Sequence, residues 1–153
     1  MGTRQITKET EIQEILGKTE YCNLSMVDEK NEPYVLPFNF GFDNQYIYLH
    51  SASTGKKIDI LKKNPAVCLS FSCDHELFFR HEHVACSYNM KFRSLLVYGQ
   101  VIFIDDFNDK IDCMNMIMKK YTGKEFKYND PAIKNVMTFK VKIEKITGKA
   151  NGY

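Results

Sequence analysis

In the stretch YLHSASTGKKID, from Tyr48 to Asp59, a histidine is followed by a run of small residues, a glycine and two adjacent lysines. Side chains this small leave backbone N–H groups unobstructed. A helix starting near Gly55 would point its unpaired N–H donors and the positive end of its dipole outward. Lys56 and Lys57 add two full charges at that same end, where they repel each other and oppose the dipole unless an anion neutralises them. The chemistry on offer is phosphate binding. The plainer alternative is a turn followed by a solvated face, because the stretch lacks the fixed spacing of a P-loop or a dinucleotide fingerprint. His50 carries the same pair of readings, a structural hydrogen-bonding group or a catalytic one.

A second group of reactive residue types lies in CDHELFFRHEHVAC, which holds Cys73, His75, His81, His83 and Cys86. On an extended segment His81 and His83 would share a face, and Cys86 could close a nitrogen and sulfur site of the kind zinc prefers. The spacing matches no zinc signature, so no metal ligand is assigned. No Ser-His-Asp set or paired carboxylates can be recognised from order, and no covalent nucleophile is assigned.

The elements that must position these residues read as follows. TEIQEIL predicts a helix capped by Thr10, with Gln13 in capping-box position, an apolar stripe of Ile12, Ile15 and Leu16, and Gly17 as its end. YCNLSMV, YVLPFNFGF and YIYLH, separated by the turns DEKNEP and DNQ, predict three antiparallel strands. GKKIDILKKNP predicts a helix from about Gly55 that stops before Pro65. AVCLSF resumes the sheet, and FRSLLVYGQVIFID is a long strand with Gly99 at its middle, where barrel strands bend or bulge. FNDKIDCMNMIMKKYTG is an amphipathic helix capped by Asn108 or Asp109, and VMTFKVKIEKITGK alternates as a final strand. The expectation is a mainly β, α+β fold: a six-stranded antiparallel barrel with helices packed outside.

Length and composition narrow the class. The 153 residues fit a single domain over 1–153 with a proper core. A formal charge of +2, from 21 basic and 19 acidic residues mixed along the chain, provides no field that would track a phosphate backbone, so nucleic acid is not an expected partner. No stretch approaches the roughly 20 apolar residues that span a bilayer, and the N-terminus offers no signal-peptide core. Five cysteines at irregular spacing argue for reduced thiols and a cytoplasmic setting.

YLHSASTGKKIDILKKNPAVCLSF resembles the strand, loop and helix of flavin-binding split-barrel proteins related to pyridoxamine 5′-phosphate oxidase, in the branch of the Nim-type 5-nitroimidazole resistance proteins. The matching elements are His50, Ser51, Ala52, Gly55, Lys57, Asn64 and Pro65. YCNLSMVDEKNEPYVLPFNFGF, CSYNMKFRSLLVYGQV, YTG and ITGK are similar to further family segments in the same order, so the resemblance covers nearly the whole chain. It implies a split barrel that dimerises, with two flavins in the grooves between subunits and the flavin phosphate at Gly55, Lys56 and Lys57. Leu36, Pro37, Phe38 and Asn39 would run along the isoalloxazine, mostly through backbone groups. His50 and Ser51 would sit by the ring or ribityl chain, with His50 as the candidate catalytic residue, and Ser94 would reach the flavin from the fifth strand. Lys91 and Arg93 would make a further phosphate contact or a salt bridge at the dimer seam, and Phe92 stands where the family commonly has tyrosine.

The implied cofactor is FMN, with FAD as the alternative. The implied activity is flavin-dependent reduction of a small oxidised substrate such as a nitroimidazole. The segment from Cys73 to Cys86 would cover or flank the flavin groove through Phe78 and Phe79. Two other readings stay open: a flavin- or haem-binding carrier or sensor without turnover, with a histidine of that segment as axial ligand, and a metal-stabilised binding module.

Overall fold

Strand-forming runs with period-two alternation dominate residues 2–153, the part of the chain that the computed structural model describes. The elements in order are β1 (Thr3–Gln5), α1 (Glu9–Lys18), β2 (Cys22–Val27), β3 (Pro33–Phe38), β4 (Gly41–Phe42), β5 (Tyr46–Ala52), α2 (Lys56–Lys63), β6 (Ala66–Phe79), β7 (Tyr88–Ile104), α3 (Phe107–Thr122), α4 (Asp130–Lys134), β8 (Val136–Lys142) and β9 (Lys145–Asn151). All strand pairings are antiparallel, in the order β3-β2-β6-β7-β8-β5-β4, with β9 joining β1 to β7.

Two runs of chain turn this order into a barrel. Along one edge β7 pairs with β6, while its other edge is divided between β9, at Phe92 to Tyr98, and β8, at Val101 to Ile104. Gly99 sits at the divide. A Cβ there would lie 2.1 Å from the Lys142 carbonyl oxygen and 2.7 Å from Val141 Cγ1, so only glycine allows β8 to come this close. At the other seam, β3 bonds to β2 and β4 bonds to β5, with only Asn39 and Phe40 between them. One continuous run therefore ends the strand order on both sides.

The inward positions Leu24, Ile47, Leu49, Leu69, Phe71 and Phe139 form a fully buried core, which Ile15 and Leu16 of α1 join from outside the sheet. A second, smaller cluster of Ile104, Cys113 and Ile117 lies beneath α3, with Tyr48 against it. Burying each such side chain stabilises the fold by about 1.5–3 kcal/mol.

The antiparallel barrel with peripheral helices is the expected class, but the strand count is nine rather than six. Three additions account for the difference. The final expected strand breaks into β8 and β9, β4 separates from β3, and Thr3–Gln5 adds an edge to β9. The helix boundaries also move. The carbonyl of Lys8 accepts from Ile12 N–H, so α1 starts before Thr10, and Gly17 stays inside a helix that ends where the Thr19 hydroxyl donates to the Ile15 carbonyl at 2.7 Å. Asp106, not Asn108 or Asp109, caps α3 by accepting from Asp109 N–H at 3.1 Å.

The largest departure is the segment between Cys73 and Cys86, expected as a connection. β6 and β7 instead run on as a two-stranded arm, with Glu76 opposite Lys91 and Phe79 opposite Tyr88. One extra residue in β6 makes a bulge between Cys73 and Glu76, where Asp74 adopts a positive φ of 56°.

Candidate functional site

β5 delivers the chain to the glycine loop, and α2 leaves from it. Gly55 is the N-cap of α2 with φ 127° and ψ 172°, a region that L side chains avoid, and no side chain caps the helix. Its carbonyl accepts from Ile58 N–H at 3.1 Å and Asp59 N–H at 3.2 Å. The N–H groups of Lys56 and Lys57 precede the first intrahelical bonds and point outward. The two lysines are not equivalent. Lys56 Nζ lies 4.6 Å over the Tyr34 ring, beside a cavity whose walls include Asp28, Glu29 and Glu32, whereas Lys57 is half-buried at the helix start. Lys56 thus lies among carboxylates of its own chain, and Lys57 is the less exposed of the two.

His50 faces Thr138 across the β5–β8 ladder. It shares the strand side of Tyr46 and Tyr48, opposite to the core residues Ile47 and Leu49. Its Nδ1 is buried without a hydrogen-bond partner, and burial lowers the pKa of the ring. The neighbouring Ser51 donates to the Ala52 carbonyl at 2.8 Å. This buried, unpartnered ring nitrogen lies on the strand that leads, five residues on, to the uncapped and lysine-bearing start of α2.

Leu36, Pro37 and Phe38 end β3, which among the described residues is an edge strand paired with β2, and Asn39 follows directly. Phe38 is buried edge-on against Phe139 at 5.9 Å, and Leu36 packs against the core, while Pro37 and Asn39 are exposed. Their order leaves mainly backbone groups and the outer edge for a ligand, and an edge is where a strand tolerates proline.

Ser94 sits on the outer face of β7, between Ser72 of β6 and Lys149 of β9, in a shallow cavity of about 360 Å³ with Gln5, Leu96, Thr147 and Gly148. Ser72 Oγ in turn lies 2.6 Å from His75 Nε2. Lys91 is on the arm, 3.0 Å from Glu76 and over the Phe78 ring. Asn64 of α2 donates to the Val27 carbonyl, at the end of β2 furthest from the arm, so roughly 30 Å of strand separates Lys91 from the loop within one chain. Arg93 is committed to its own chain: its Nε donates to Asp74 at 2.7 Å and Nη2 to Glu14 at 3.0 Å, with Glu11 beside them. The Arg93 hydrogen bond holds the Glu14 carboxyl down at about 2, and the Arg4 hydrogen bond lowers Glu11. These pairs fasten α1 to the barrel.

The structure therefore brings together His50, Ser51, Gly55, Lys56 and Lys57 along one strand and loop. It sets Leu36 to Asn39 on the adjoining edge and leaves Lys91 and Ser94 on the far sheet. The Ser72–His75 contact and the arm were not read from sequence. The alternation of Leu77 with Phe79 and of Tyr88 with Met90 was the available signal. Among the described residues no group of three or more His, Cys, Asp or Glu is placed to hold a metal ion, and no helix is long and apolar enough to cross a membrane.

An antiparallel barrel, open between β3 and β4, with peripheral helices and a glycine-led helix start at its rim defines the split-barrel architecture. Residues 8–150 match the profile of the family described as pyridoxamine 5′-phosphate oxidase, and the chain belongs to that family. A solved structure from Bacteroides thetaiotaomicron, provisionally named a 5-nitroimidazole antibiotic resistance protein, is 38% identical, covers 97% of this chain and 87% of its own, and superposes with a TM-score of 0.87. The FAD and heme binding protein from Mycobacterium smegmatis has a TM-score of 0.85 at 12% identity, covering 97% of this chain and 74% of its own. A flavocytochrome from Azotobacter vinelandii has a TM-score of 0.80 at 19% identity, with 99% and 70% covered. These last two share the fold. A search of the curated proteins finds no match.

Proposed function

We propose that the protein is a homodimeric flavin-dependent oxidoreductase that reduces a small oxidised substrate, with a nitroimidazole as the first candidate. The observation that carries this reading is the uncapped start of α2, where Gly55 geometry, two N–H groups without intrahelical partners and Lys57 adjoin one another in a chain of this family, which supports phosphate binding there. The resistance-protein relative at 38% identity supports the nitroimidazole candidate. Bound flavin would supply the electron transfer, and the protein's part is to hold and orient. Gly55 and Lys57 take the phosphate, with Lys56 contributing charge nearby. The β3 edge from Leu36 to Asn39 runs along the ring system and Ser51 adds a contact from the same chain, whereas Lys91 and Ser94, on the far sheet, would reach the ligand only from the second subunit of the dimer. His50, whose pKa burial lowers, offers Nδ1 to the ligand or substrate. FMN is the first candidate cofactor, and FAD would extend its adenylate past the phosphate end. Five free thiols suit a cytoplasmic site of action.

The test is the visible spectrum of the purified protein, alone and after adding FMN or FAD, followed by anaerobic reoxidation of the reduced form by a 5-nitroimidazole. Flavin bands lost in Lys57→Ala, together with reoxidation that consumes the nitro compound, support the reading. Haem bands would favour a carrier, and a protein that takes up neither flavin overturns the proposal.

A further inference from the structure

The bulge in β6 does more than start the arm. Cys73 faces Arg93 and Glu76 faces Lys91, so Asp74 and His75 both stand against Phe92. Plain alternation from Ser72 would send His75 to the inner side of the sheet with Cys73. The bulge turns it back, and His75 Nε2 comes to 2.6 Å from Ser72 Oγ on the outer side. Three elements fix that turn. Asp74, whose positive φ aspartate tolerates better than most residues, accepts through its carboxylate from Arg93 Nε at 2.7 Å and from Lys18 Nζ at 3.4 Å. Its carbonyl accepts from the Tyr153 hydroxyl at 2.8 Å. Groups from β7, α1 and the chain after β9 thus hold the backbone that presents His75. A histidine that only needed water around it would require none of them.

Ser72 and His75 line a cavity of about 510 Å³ that opens between the end of α1 and β2. It shares no residue with the Gly55 loop or with the shallow cavity at Ser94. In the tautomer that carries its proton on Nδ1, His75 accepts from the Ser72 hydroxyl, and their separation lies within the reach of a base for its nucleophile. Ser72 is half-buried, while His75 is exposed and exchanges its protons with water. Asn23, opposite Ser70 on β2, and Lys18 line the same cavity and supply hydrogen-bond donors for an oxyanion. Glu20, also in its wall, disfavours an acidic substrate, and Tyr21 offers an exposed ring to an apolar group.

We propose that Ser72 and His75 are a nucleophile and base that cleave small neutral esters, an activity separate from the flavin reading and independent of it. Ser72 Oγ bonds to the acyl carbon as its proton passes to His75 Nε2. The tetrahedral oxyanion collapses, the bond to the leaving alkoxide breaks, and that alkoxide takes the proton from His75 and departs as an alcohol. Water then attacks the acyl-serine, giving its proton to His75, which returns it to Ser72 as the acid leaves. The sum is ester plus water to acid plus alcohol, with nothing oxidised or reduced.

The test applies two probes to the full chain: p-nitrophenyl acetate for turnover and diisopropyl fluorophosphate for labelling. Wild type is expected to release p-nitrophenolate at least about tenfold faster than Ser72→Ala or His75→Gln, the scale of a lost general base. Mass mapping is expected to find the diisopropylphosphoryl group on the Ser72 peptide of wild type and to lose it in His75→Gln. Both positions lie on the outer side of the sheet, and thermal unfolding checks that the variants fold. Wild type that takes no label at Ser72 overturns the proposal, whatever the variants do. Label at Ser72 that persists in folded His75→Gln removes the base and overturns the pair. Ester cleavage undiminished in Ser72→Ala assigns the reaction to another nucleophile, such as the exposed Cys86, and overturns it as well.

Discussion

Gly55→Ala isolates the backbone of the proposed phosphate cradle from its charge. No atom lies within 4 Å of the place where the new methyl group would sit, so contact contributes nothing to the outcome. The cost comes from φ 127° and ψ 172°, a region essentially restricted to glycine, and amounts to about 1–3 kcal/mol. Two outcomes divide that sum. If the loop keeps its shape, the strain appears as lost stability, a fall in Tm of about 2–12 °C for a chain of this size. If the loop relaxes, the N–H groups of Lys56 and Lys57 swing away, and the same sum appears as a flavin affinity about 5–150-fold weaker. Thermal unfolding of the apo protein and a flavin titration, run together, measure both shares. Gly17→Ala is the internal control, because Gly17 lies inside α1 with nothing within 4 Å, and there alanine should stabilise by about 0.5–1 kcal/mol. If Gly55→Ala matches wild type in both measurements, the loop geometry is not the cradle, and the reasoning fails.

At Gly99 the same substitution acts through space instead of φ. A methyl group 2.1 Å from the Lys142 carbonyl forces β7 from β8, and chemical denaturation should show at least about 1–3 kcal/mol lost. Acid should weaken the α1 fastening. Carboxyls held below their ordinary values, as Glu11, Glu14 and Asp74 are, contribute stability that is fully present above about 4.5 and disappears as pH falls towards 2. Tm measured across that window should drop, and the drop should be shallower in Arg93→Leu; an equal slope would remove Arg93 from the account. Burial pushes the thiols of Cys22 and Cys113 up to about 12 and that of Cys73 to about 11, whereas Cys86 is exposed on the arm. A disulfide reagent at pH 8 should therefore label Cys86 at once and Cys22 and Cys113 only on unfolding, which mass mapping of the labelled peptides would show.

The sequence made the barrel class legible because its strands alternate cleanly where one side meets the core. Leu24 and Met26 in β2, and Ile47 and Leu49 in β5, mark that side directly. The glycine loop was legible for a different reason: small residues followed by adjacent lysines conflict with ordinary helix starts. What escaped was whatever depends on pairing between distant segments. Nothing local says that Gly99 divides one strand between two neighbours, or that the run ending VKIEKITGK folds back at Ile143 and Glu144. The arm was missed because a polar, histidine-rich tip hides the alternation on either side of it. Arg93 read as a phosphate contact or a dimer-seam salt bridge, since the carboxylates of its own chain that occupy it, Glu14 and Asp74, lie 79 and 19 residues away.

The ladder between β1 and β9, Thr3 against Asn151 and Gln5 against Lys149, sets a schedule for how the molecule comes into being. β7 cannot fill its second edge until both β8 and β9 exist, so on the ribosome the barrel stays open until residue 151 has left the exit tunnel. Until then the outer face of β7 and the unpaired edges beside it are offered to neighbouring nascent chains, an aggregation hazard for contacts that close over such long separations. Synthesis speed and chaperone supply should accordingly govern the yield of this protein more than the depth of its final energy minimum does.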